Sequence, residues 1–310
     1  MTNSQRRYDV VIIGGGPAGL TAGLYATRAR HHTLLLEKGI IGGQITIAEH
    51  VENYPGFPAG ISGYDLGQLM HEQATKYGLE ILNGEVTGVE LQEQQKVVKS
   101  SQDEFVTRAL IIAGGSQRQK LDVPGEDEFV GRGISYCATC DAVFFTGKPV
   151  VVVGGGDSAI TEALHLAKFA TRVTVIHRRH QLRATRILQE RVFAEPKIDF
   201  LWDTAVEKIE GDQFVRQIEL KQLPTGTKSV LEVAGVFVSI GFKPDTAYLQ
   251  GILPRDDIGH IITDENMSTS VAGIFAAGDI RRNSARQAIT AAGDGATAAI
   301  YAEKFLTYQA

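Results

Sequence analysis

The chain contains two copies of one sequence pattern, and this repeat constrains its fold more than any other feature. YDVVIIGGGPAGLTAGLYATRA begins at Tyr8, and KPVVVVGGGDSAITEALHLAKF begins at Lys148. Placing Gly14 on Gly154 also aligns LLLEKG with TVIHRR further along, so the register is kept beyond the glycines. Self-similarity over this length indicates a duplicated structural unit. We therefore predict two βαβ units in one polypeptide.

Each copy carries glycines with the spacing of a dinucleotide-binding turn, placed after a β-branched apolar run and before a helical pattern. The motif residues are Gly14, Gly16 and Gly19 in the first copy and Gly154, Gly156 and Ala159 in the second. The first glycine permits the tight turn, the second lets the backbone approach a pyrophosphate, and the third small residue lets the helix pack on the strand. To the same turns we assign Pro17, Ala18, Asp157 and Ser158. The sequence thus predicts an α/β fold with two Rossmann-like dinucleotide-binding domains, although one working site beside a decayed duplicate stays an alternative.

The residues that end the second strand of each unit predict different nucleotides. In the first copy this residue is Glu37, whose carboxylate suits ribose hydroxyls and repels a 2′-phosphate. In the second copy it is His177, followed by Arg178, Arg179 and Arg183. Guanidinium groups hold phosphate bidentately, so these four basic groups predict a preference for NADPH over NADH. The alternative interpretation of this basic stretch is a solvated helix start.

The end of the chain indicates what the first site holds. Residues 273–282, GIFAAGDIRR, predict a short strand that ends in Asp279, and RQAITAAGDGATAAIYAEKFL predicts the helix that follows. The apolar positions predicted for that helix are Ile289, Ala292, Ala296, Ala299 and Ile300. An aspartate delivered just before a helix could hold a polyol, which fits FAD better than a second nicotinamide nucleotide. The same segment could equally be the closing β-α pair of a doubly wound sheet.

The only two cysteines, Cys137 and Cys140, lie in the stretch YCATCD just before the second glycine turn. Zinc needs about four protein ligands, yet there is no second pair and the nearest histidine is His165. A structural staple would close a loop too short to stabilise much. The i, i+3 spacing brings two sulfurs together on one turn, which favours a redox-active pair. Asp141 is a candidate proton donor or acceptor for the leaving thiolate.

Composition excludes several classes of function. A net charge of −5 and a pI near 5.9 leave no basic surface for nucleic acid or anionic lipid. No uncharged apolar run reaches the ~18 residues of a membrane span, and MTNSQRRYDV lacks the apolar core of a signal peptide. Because two cysteines do not make a disulfide framework, we expect a cytoplasmic protein that contacts neither nucleic acid nor membranes.

Taken together, these motifs resemble those of the low-molecular-weight, bacterial-type NADPH-dependent thioredoxin reductases. The resemblance covers essentially the whole chain and includes VVIIGGGPAGL, GGQITIAEHVENYPGFP, DVPGE, CATCD, VVVVGGGDSA, HRRHQLR, GIFAAGDI and RQAITAAGDGATAA. It implies the pyridine nucleotide-disulfide oxidoreductase fold. It further implies a discontinuous FAD-binding domain, residues 1–117 and 246–310, and an inserted NADPH-binding domain, residues 118–245, that carries the CxxC. A homodimer is expected on the same ground.

The resemblance also implies roles for individual residues. Those expected to approach FAD are Gly43, Gln44, Asn53, Asp279 at the ribityl chain, and Arg286, Gln287 and Ala288 at the flavin, to which we add Lys38 beside Glu37. Electrons are expected to pass from NADPH through FAD to the cysteine disulfide and on to thioredoxin or a similar small disulfide protein. Cys140 would face the flavin, and Cys137 would attack the partner's disulfide through a mixed disulfide. Hinges are expected near residues 115–119 and 241–244.

The sequence departs from the family pattern at two positions and leaves rival interpretations open. Ala285 stands where an aromatic residue is common, and Ala296 stands where a cysteine or another small residue is frequent, a change that we expect to be neutral. Tyr308 could either stack on a flavin or lie in an exposed tail. A peroxiredoxin reductase would carry an extra region for which we expect no room before Tyr8. A ferredoxin–NADP reductase of this fold lacks the CxxC, and a dithiol oxidase tends to lose the pyridine-nucleotide motif. A non-catalytic redox sensor that switches partners through its disulfide is the alternative outside the enzymes.

Overall fold

The computed structural model describes residues 6–48, 50–101 and 103–308 of the 310-residue chain. The strands are β1 (Arg6–Ile13), β2 (Thr33–Glu37), β3 (Glu80–Asn83), β4 (Val86–Gln92), β5 (Gln95–Ser100), β6 (Glu104–Ile112), β7 (Ser116–Arg118), β8 (Ile134–Ser135), β9 (Pro149–Val153), β10 (Arg172–Ile176), β11 (Ile198–Leu201), β12 (Thr204–Gly211), β13 (Val215–Gln222), β14 (Lys228–Glu232), β15 (Gly235–Val238), β16 (Phe242–Pro244) and β17 (Ile274–Ala276). The helices are α1 (Pro17–Arg28), α2 (Gly63–Thr75), α3 (Glu126–Phe129), α4 (Ala138–Asp141), α5 (Asp157–Leu166), α6 (Arg186–Phe193) and α7 (Ala288–Tyr308). Short 3-10 helices cover Gly43–Ile47, Ala142–Phe145, Ala247–Leu249 and Gly278–Ile280. None of the helices described has the length and apolar character required to span a bilayer.

The chain divides into two compact units. The first combines the two chain ends, up to Gln117 and from Lys243 onward, and the second is the inserted segment Arg118–Phe242. Both boundaries fall in the short strands β7 and β16, which pair with each other. These strands lie in the stretches named above as hinge candidates. The assignment of one unit to FAD and the other to NADPH stays a prediction.

The first unit is built on a seven-stranded sheet with β1 at its centre. The strand order is β3-β2-β1-β6-β5-β4, with β17 also beside β6, and β1 runs parallel to both β2 and β6. Along β1, Val10 and Ile12 pack in the core that contains residues of α1 and α7, whereas Val11 and Ile13 pack in the core of the other face. Strands covered on both faces read as continuous apolar runs, which explains the sequence of β1.

The second unit repeats this arrangement on a smaller scale. Its five-stranded sheet has the order β11-β10-β9-β15-β8, and β12-β13-β14 form a separate antiparallel sheet. Val150 and Val152 of β9 pack in one core, and Val151 and Val153 pack in the other. The parallel pairs β1–β2 and β9–β10 therefore carry equivalent βαβ units. The prediction of two such units is confirmed.

The last helix differs from its prediction at its start and at two of its apolar positions. α7 begins two residues later than predicted, because Arg286 has a left-handed backbone conformation with φ 56°. Its buried residues are Ala291, Ala292, Asp294, Gly295, Ala298, Ala299, Ala302 and Leu306. Of the predicted apolar positions, Ala292 and Ala299 are buried, whereas Ile289 and Ile300 are each 39% exposed. A Cβ on Gly295 would lie 2.0 Å from the carbonyl oxygen of Ala18, so α1 approaches too closely for large side chains.

Three further positions near this helix were singled out in the sequence. Ala285, which replaces an aromatic residue of the family pattern, is exposed, and Ala296 is half-buried. Tyr308 ends α7 with 83% of its surface exposed. Tyr308 therefore has the exposed position that was one of its two predicted alternatives.

Candidate active site and nucleotide sites

The first glycine turn connects β1 to α1 and has the geometry that its motif predicts. Gly14 has φ +106°, and a Cβ there would lie 2.4 Å from the carbonyl oxygen of Ala113. A Cβ on Gly19 would lie 1.8 Å from the carbonyl oxygen of Gly14. Gly16 is the N-cap of α1, and Pro17 is its first residue. The N-terminal N–H groups of α1 thus face the turn without a carboxylate in the first helical turn, which suits an anionic diphosphate.

The carboxylate of Glu37 lies directly against this turn. Its Oε2 accepts a hydrogen bond of 2.5 Å from the backbone N–H of Gly15, and its Oε1 accepts one of 2.7 Å from Gly39. Each oxygen keeps a second lone pair for a ribose hydroxyl. Next to it, Lys38 Nζ pairs with Asp245 at 2.8 Å and Glu85 at 3.2 Å. The fixed carboxylate favours a ribose without a 2′-phosphate.

The residues that resemblance assigned to the flavin end lie near one another in the first unit. Gly43 has φ +66°, and a Cβ there would lie 2.9 Å from the Cα of Gly16. Gly43 and Gln44 open a 3-10 helix that therefore sits on the glycine turn. Asn53 Nδ2 donates to Gln287 Oε1 at 3.0 Å, although 234 positions separate the two residues. Arg286 and Ala288 flank Gln287 at the start of α7.

Asp279 occupies a different element from the one predicted. The strand β17 ends at Ala276, and Asp279 lies on the 3-10 helix Gly278–Ile280, so the prediction of a strand ending in Asp279 was wrong. Gly278 has φ +77°, which turns the chain out of the strand. Ser284 Oγ donates to Asp279 Oδ1 at 3.1 Å. Burial raises the pKa of the Asp279 carboxyl.

The second glycine turn connects β9 to α5. Gly154 has φ +150°, and a Cβ there would lie 2.2 Å from the carbonyl oxygen of Ser239. Gly156 is the N-cap of α5, while Ala159 is fully buried against the sheet. Asp157 and Ser158 form the exposed first turn. The turn thus leaves the N-terminus of α5 open, as the first turn does for α1.

His177 follows β10 and is buried, unlike the three arginines that were predicted to act with it. The ring is 4% exposed and lies under the second glycine turn, where a Cβ on Gly155 would be 2.5 Å from it. Burial and the nearby Arg183 lower the pKa of His177, so the ring is neutral near pH 7. The lowered pKa disfavours a positive charge on His177, and its role beside a 2′-phosphate stays a prediction.

The arginines lie on an exposed loop that is tied to the glycine turn. Arg178, Arg179 and Arg183 are exposed, and α6 begins only at Arg186, so the alternative of a helix start does not hold. The N–H of Arg183 donates to the carbonyl of Gly155 at 2.7 Å. The N–H of Thr185 donates to Asp157 Oδ1 at 2.6 Å. The loop therefore presents three permanent positive charges at a fixed place beside the turn.

The cysteines form a disulfide at the start of α4. Cys137 and Cys140 are bonded, with their Cα atoms 5.3 Å apart. Cys137 is half-buried, whereas Cys140 is exposed. The backbone N–H of Cys140 points at Cys137 Sγ from 3.2 Å, and Asp141 is the last residue of the helix. α4 packs on α5, the helix that begins at the second glycine turn.

Comparison with known proteins agrees with this geometry. A sequence model of the pyridine nucleotide-disulphide oxidoreductases matches residues 8–295. The thioredoxin reductase of Bacillus subtilis (strain 168) is 48% identical over 298 residues, which are 96% of this chain and 94% of that protein. The chain belongs to the thioredoxin reductases. The crystal structure of Lactococcus lactis thioredoxin reductase matches with a TM-score of 0.95 at 44% identity, covering 97% of this chain and 99% of that one. A ferredoxin-flavin thioredoxin reductase from Clostridium acetobutylicum matches with a TM-score of 0.55 at 31% identity, over 98% and 99% of the two chains.

Membership confirms the predicted family, the fold class and the assignment as an oxidoreductase. The thioredoxin reductases use a flavin together with a nicotinamide nucleotide. They act through a redox-active cysteine pair, and Cys137 and Cys140 stand at bonding distance here.

Several residues around the first glycine turn of this thioredoxin reductase escaped the sequence analysis. A narrow cavity is lined by Gly14, Glu37 and Lys38 and also by Gly84, Glu85, Val86, Gly114, Asp245 and Tyr248. The hydroxyl of Tyr248 is buried, and no partner for it occurs among the described residues. Burial and Asp245 raise the pKa of Tyr248, so the phenol keeps its proton and can donate it in a hydrogen bond. An orphaned donor in the wall of a cavity beside a glycine turn fits a nucleotide, and no sequence motif marks it.

Proposed function

We propose that this chain is a thioredoxin-disulfide reductase that uses NADPH as electron donor and FAD as its resident flavin. The observation that carries the proposal is the packing of the disulfide helix α4 on α5, whose first turn is a glycine turn flanked by three arginines. One unit thereby combines a coenzyme site and a redox-active disulfide. The first glycine turn, in the other unit, supplies the place for the flavin nucleotide.

NADPH as donor rests on the charges beside the second turn. Family membership alone leaves the donor open, since a relative of the same fold is named for ferredoxin. Arg178, Arg179 and Arg183 are exposed beside the turn. The neutral ring of His177 stands where Glu37 stands in the first copy, so no carboxylate opposes a 2′-phosphate. Charge-assisted bonds to that phosphate favour NADPH over NADH.

FAD in the unit formed by the chain ends is supported by the residues around the first turn. Glu37 suits an unphosphorylated ribose, Asp279 suits a ribityl hydroxyl, and the Asn53–Gln287 bond joins two residues that the resemblance assigns to the flavin. A flavin bound there supplies two-electron transfer between a nicotinamide and a disulfide. The predicted division into a FAD domain and an inserted NADPH domain follows from this assignment.

The thiol chemistry is assigned to Cys137, Cys140 and Asp141. Two electrons and a proton open the disulfide, and the N–H of Cys140 stabilises negative charge on Cys137 Sγ. The Cys137 thiolate attacks one sulfur of the partner's disulfide and releases the other as a thiolate. Cys140 passes the proton that it took up on reduction to Asp141, and its thiolate then attacks Cys137 Sγ, which restores the disulfide and frees the second sulfur of the partner. Asp141 is the proposed proton donor to the released sulfur.

A small disulfide protein of the thioredoxin type is the proposed partner. Val143 and Phe144 follow the cysteines on the next 3-10 helix and are 59% and 69% exposed. Adjacent apolar side chains of this size on a surface are typical of a docking site for protein. By resemblance we further propose a homodimer, and from the two-cysteine composition a cytoplasmic location.

An anaerobic titration of the oxidised holoprotein with NADPH, followed by oxidised thioredoxin, tests the function. We expect NADPH to bleach the flavin absorbance and thioredoxin to restore it over repeated cycles. The matched variant Cys137→Ser should still be bleached but should not reduce thioredoxin. Bleaching of the wild type without recovery would reject the thioredoxin-like partner. If each protein molecule reduced thioredoxin only once, and NADPH consumption then stopped, the result would indicate a redox sensor.

A further inference from the structure

A buried ion pair joins α7 to the turn that carries Asp279. Asp294 Oδ2 accepts a hydrogen bond from Arg281 Nε at 2.6 Å, and Oδ1 accepts one from Arg281 Nη2 at 2.8 Å. Only 10% of the Asp294 side chain and 16% of the Arg281 side chain are exposed. A guanidinium that grips both oxygens fixes direction as well as distance. The pair is therefore a rigid link between the two elements.

The link holds the Asp279 turn from both sides. Besides Arg281, Asp294 Oδ2 accepts the backbone N–H of Gly278 at 3.1 Å. Gly278 is the residue before Asp279, and Arg281 is the second residue after it. The hydrogen bond seen at the Asp279 carboxylate among the described residues comes from Ser284 Oγ, which lies beyond the 3-10 helix. The position of that carboxylate thus depends on Asp294.

The Asp279 turn and the part of α7 around Asp294 both pack against the N-terminal end of α1. A Cβ on Gly278 would lie 3.0 Å from the Cβ of Ala18, and one on Gly295 would lie 2.0 Å from the carbonyl oxygen of Ala18. Ala18 belongs to the first turn of α1. One residue of the glycine turn's helix therefore contacts both the Asp279 turn and the helical residue next to Asp294.

We propose that Asp294 and Arg281 are positioning residues for flavin-nucleotide binding, and this inference rests on the proposed FAD site. They act through Asp279, by holding its turn in register with the N-terminus of α1, and they do not touch the nucleotide. Loss of one partner leaves the other buried and unpaired, so the turn must move to hydrate it. The carboxylate of Asp279 then leaves the position in which it meets the ribityl chain.

The test compares FAD binding by variants of the full chain, measured by titrating FAD into flavin-depleted protein. Asp294→Asn keeps the shape of the side chain but removes the charge that grips Arg281. We expect its dissociation constant for FAD to rise at least about tenfold, with an altered visible circular dichroism of the bound flavin. The matched control is Asp264→Asn, a carboxylate of the same unit that accepts the N–H groups of Asn266 and Ser268. The control should leave FAD affinity within about twofold.

Arg281→Lys keeps the buried charge and covers the case in which Asp294→Asn does not fold. It loses the two-pronged grip, so we expect a smaller rise of FAD dissociation constant, about three- to tenfold. If the folded variants keep the FAD affinity and the flavin spectrum of the wild type, the proposal is overturned. This holds even if their melting temperatures are lower, because the ion pair would then only stabilise the fold. Wild-type protein that binds no FAD would instead reject the proposed function.

Discussion

Coenzyme selectivity offers the sharpest test of the charge argument at the second glycine turn. In the double variant Arg178→Ala with Arg179→Ala, the loop loses two of its three exposed guanidinium groups. A charge-assisted bond to phosphate in an exposed site is worth about 1.5 kcal/mol, and 1.4 kcal/mol is about tenfold in affinity. We therefore expect the affinity for NADP⁺ to fall about 100-fold. Affinity for NAD⁺, which lacks the 2′-phosphate, should stay within about twofold.

The oxidised coenzymes serve as ligands because they bind without reducing the holoprotein. Trp202, the only tryptophan of the chain, lies with its ring centroid 6.4 Å from that of His177 and should report binding by its fluorescence. Arg216→Ala is the control, since Arg216 is an exposed arginine of the same unit that pairs with Asp212 at 3.3 Å. Equal losses for both coenzymes in the double variant, or no loss for either, would refute the assignment of the 2′-phosphate to this loop.

Three further changes test other parts of the structure. Burial lowers the pKa of Lys96 from 10.5 to about 8. The unfolded chain therefore binds more protons between these values, and stability rises with pH there. In urea titrations, the unfolding free energy of the wild type relative to that of Lys96→Met should rise by about 1.5 kcal/mol between pH 8 and about pH 9.5. A difference between the two proteins that does not change with pH would contradict this. Gly155→Ala should lower the affinity for NADP⁺ at least about tenfold, because its Cβ would lie 2.5 Å from the His177 ring. The double variant with His177→Ala should recover part of this affinity, and no recovery would contradict a steric clash as the cause. Tyr248→Phe removes an orphaned buried hydroxyl, so the unfolding free energy of the flavin-depleted protein should rise by about 1 kcal/mol while the affinity for FAD falls severalfold. If stability and FAD affinity instead both rose or both fell, this would argue against a hydrogen bond from Tyr248 to the nucleotide.

The sequence predicted those features whose chemistry depends on neighbours along the chain. A glycine turn needs its glycines within a few positions of one another, so both turns, their strands and their helices could be located. The cysteine pair closes on one short helix for the same reason. Glu37 could be identified because it ends a strand whose start was fixed by the repeat.

Features that depend on packing between distant segments could not be predicted. Asn53 and Gln287 meet across 234 positions, and neither residue type signals its partner. Tyr248 reaches the first cavity from the second chain segment, and its orphaned hydroxyl is visible only in three dimensions. The exposure of Ile289 and Ile300 on α7 was missed for the same kind of reason, since the close approach to α1 places small residues on the buried face.

The two copies of the repeat place different residues at equivalent positions of one backbone arrangement, which supports the two specificities proposed above. At the end of the second strand, Glu37 supports its glycine turn by accepting the N–H of Gly15, whereas the buried ring of His177 supports its own by filling the space under Gly155. Both residues thus shape the turn, but only Glu37 brings a charge at neutral pH, since burial lowers the pKa of His177. The proposed preference of the second site therefore rests on the exposed side chains of Arg178, Arg179 and Arg183. Replacing His177 should change the affinity for both coenzymes together, and replacing the arginines should change their ratio.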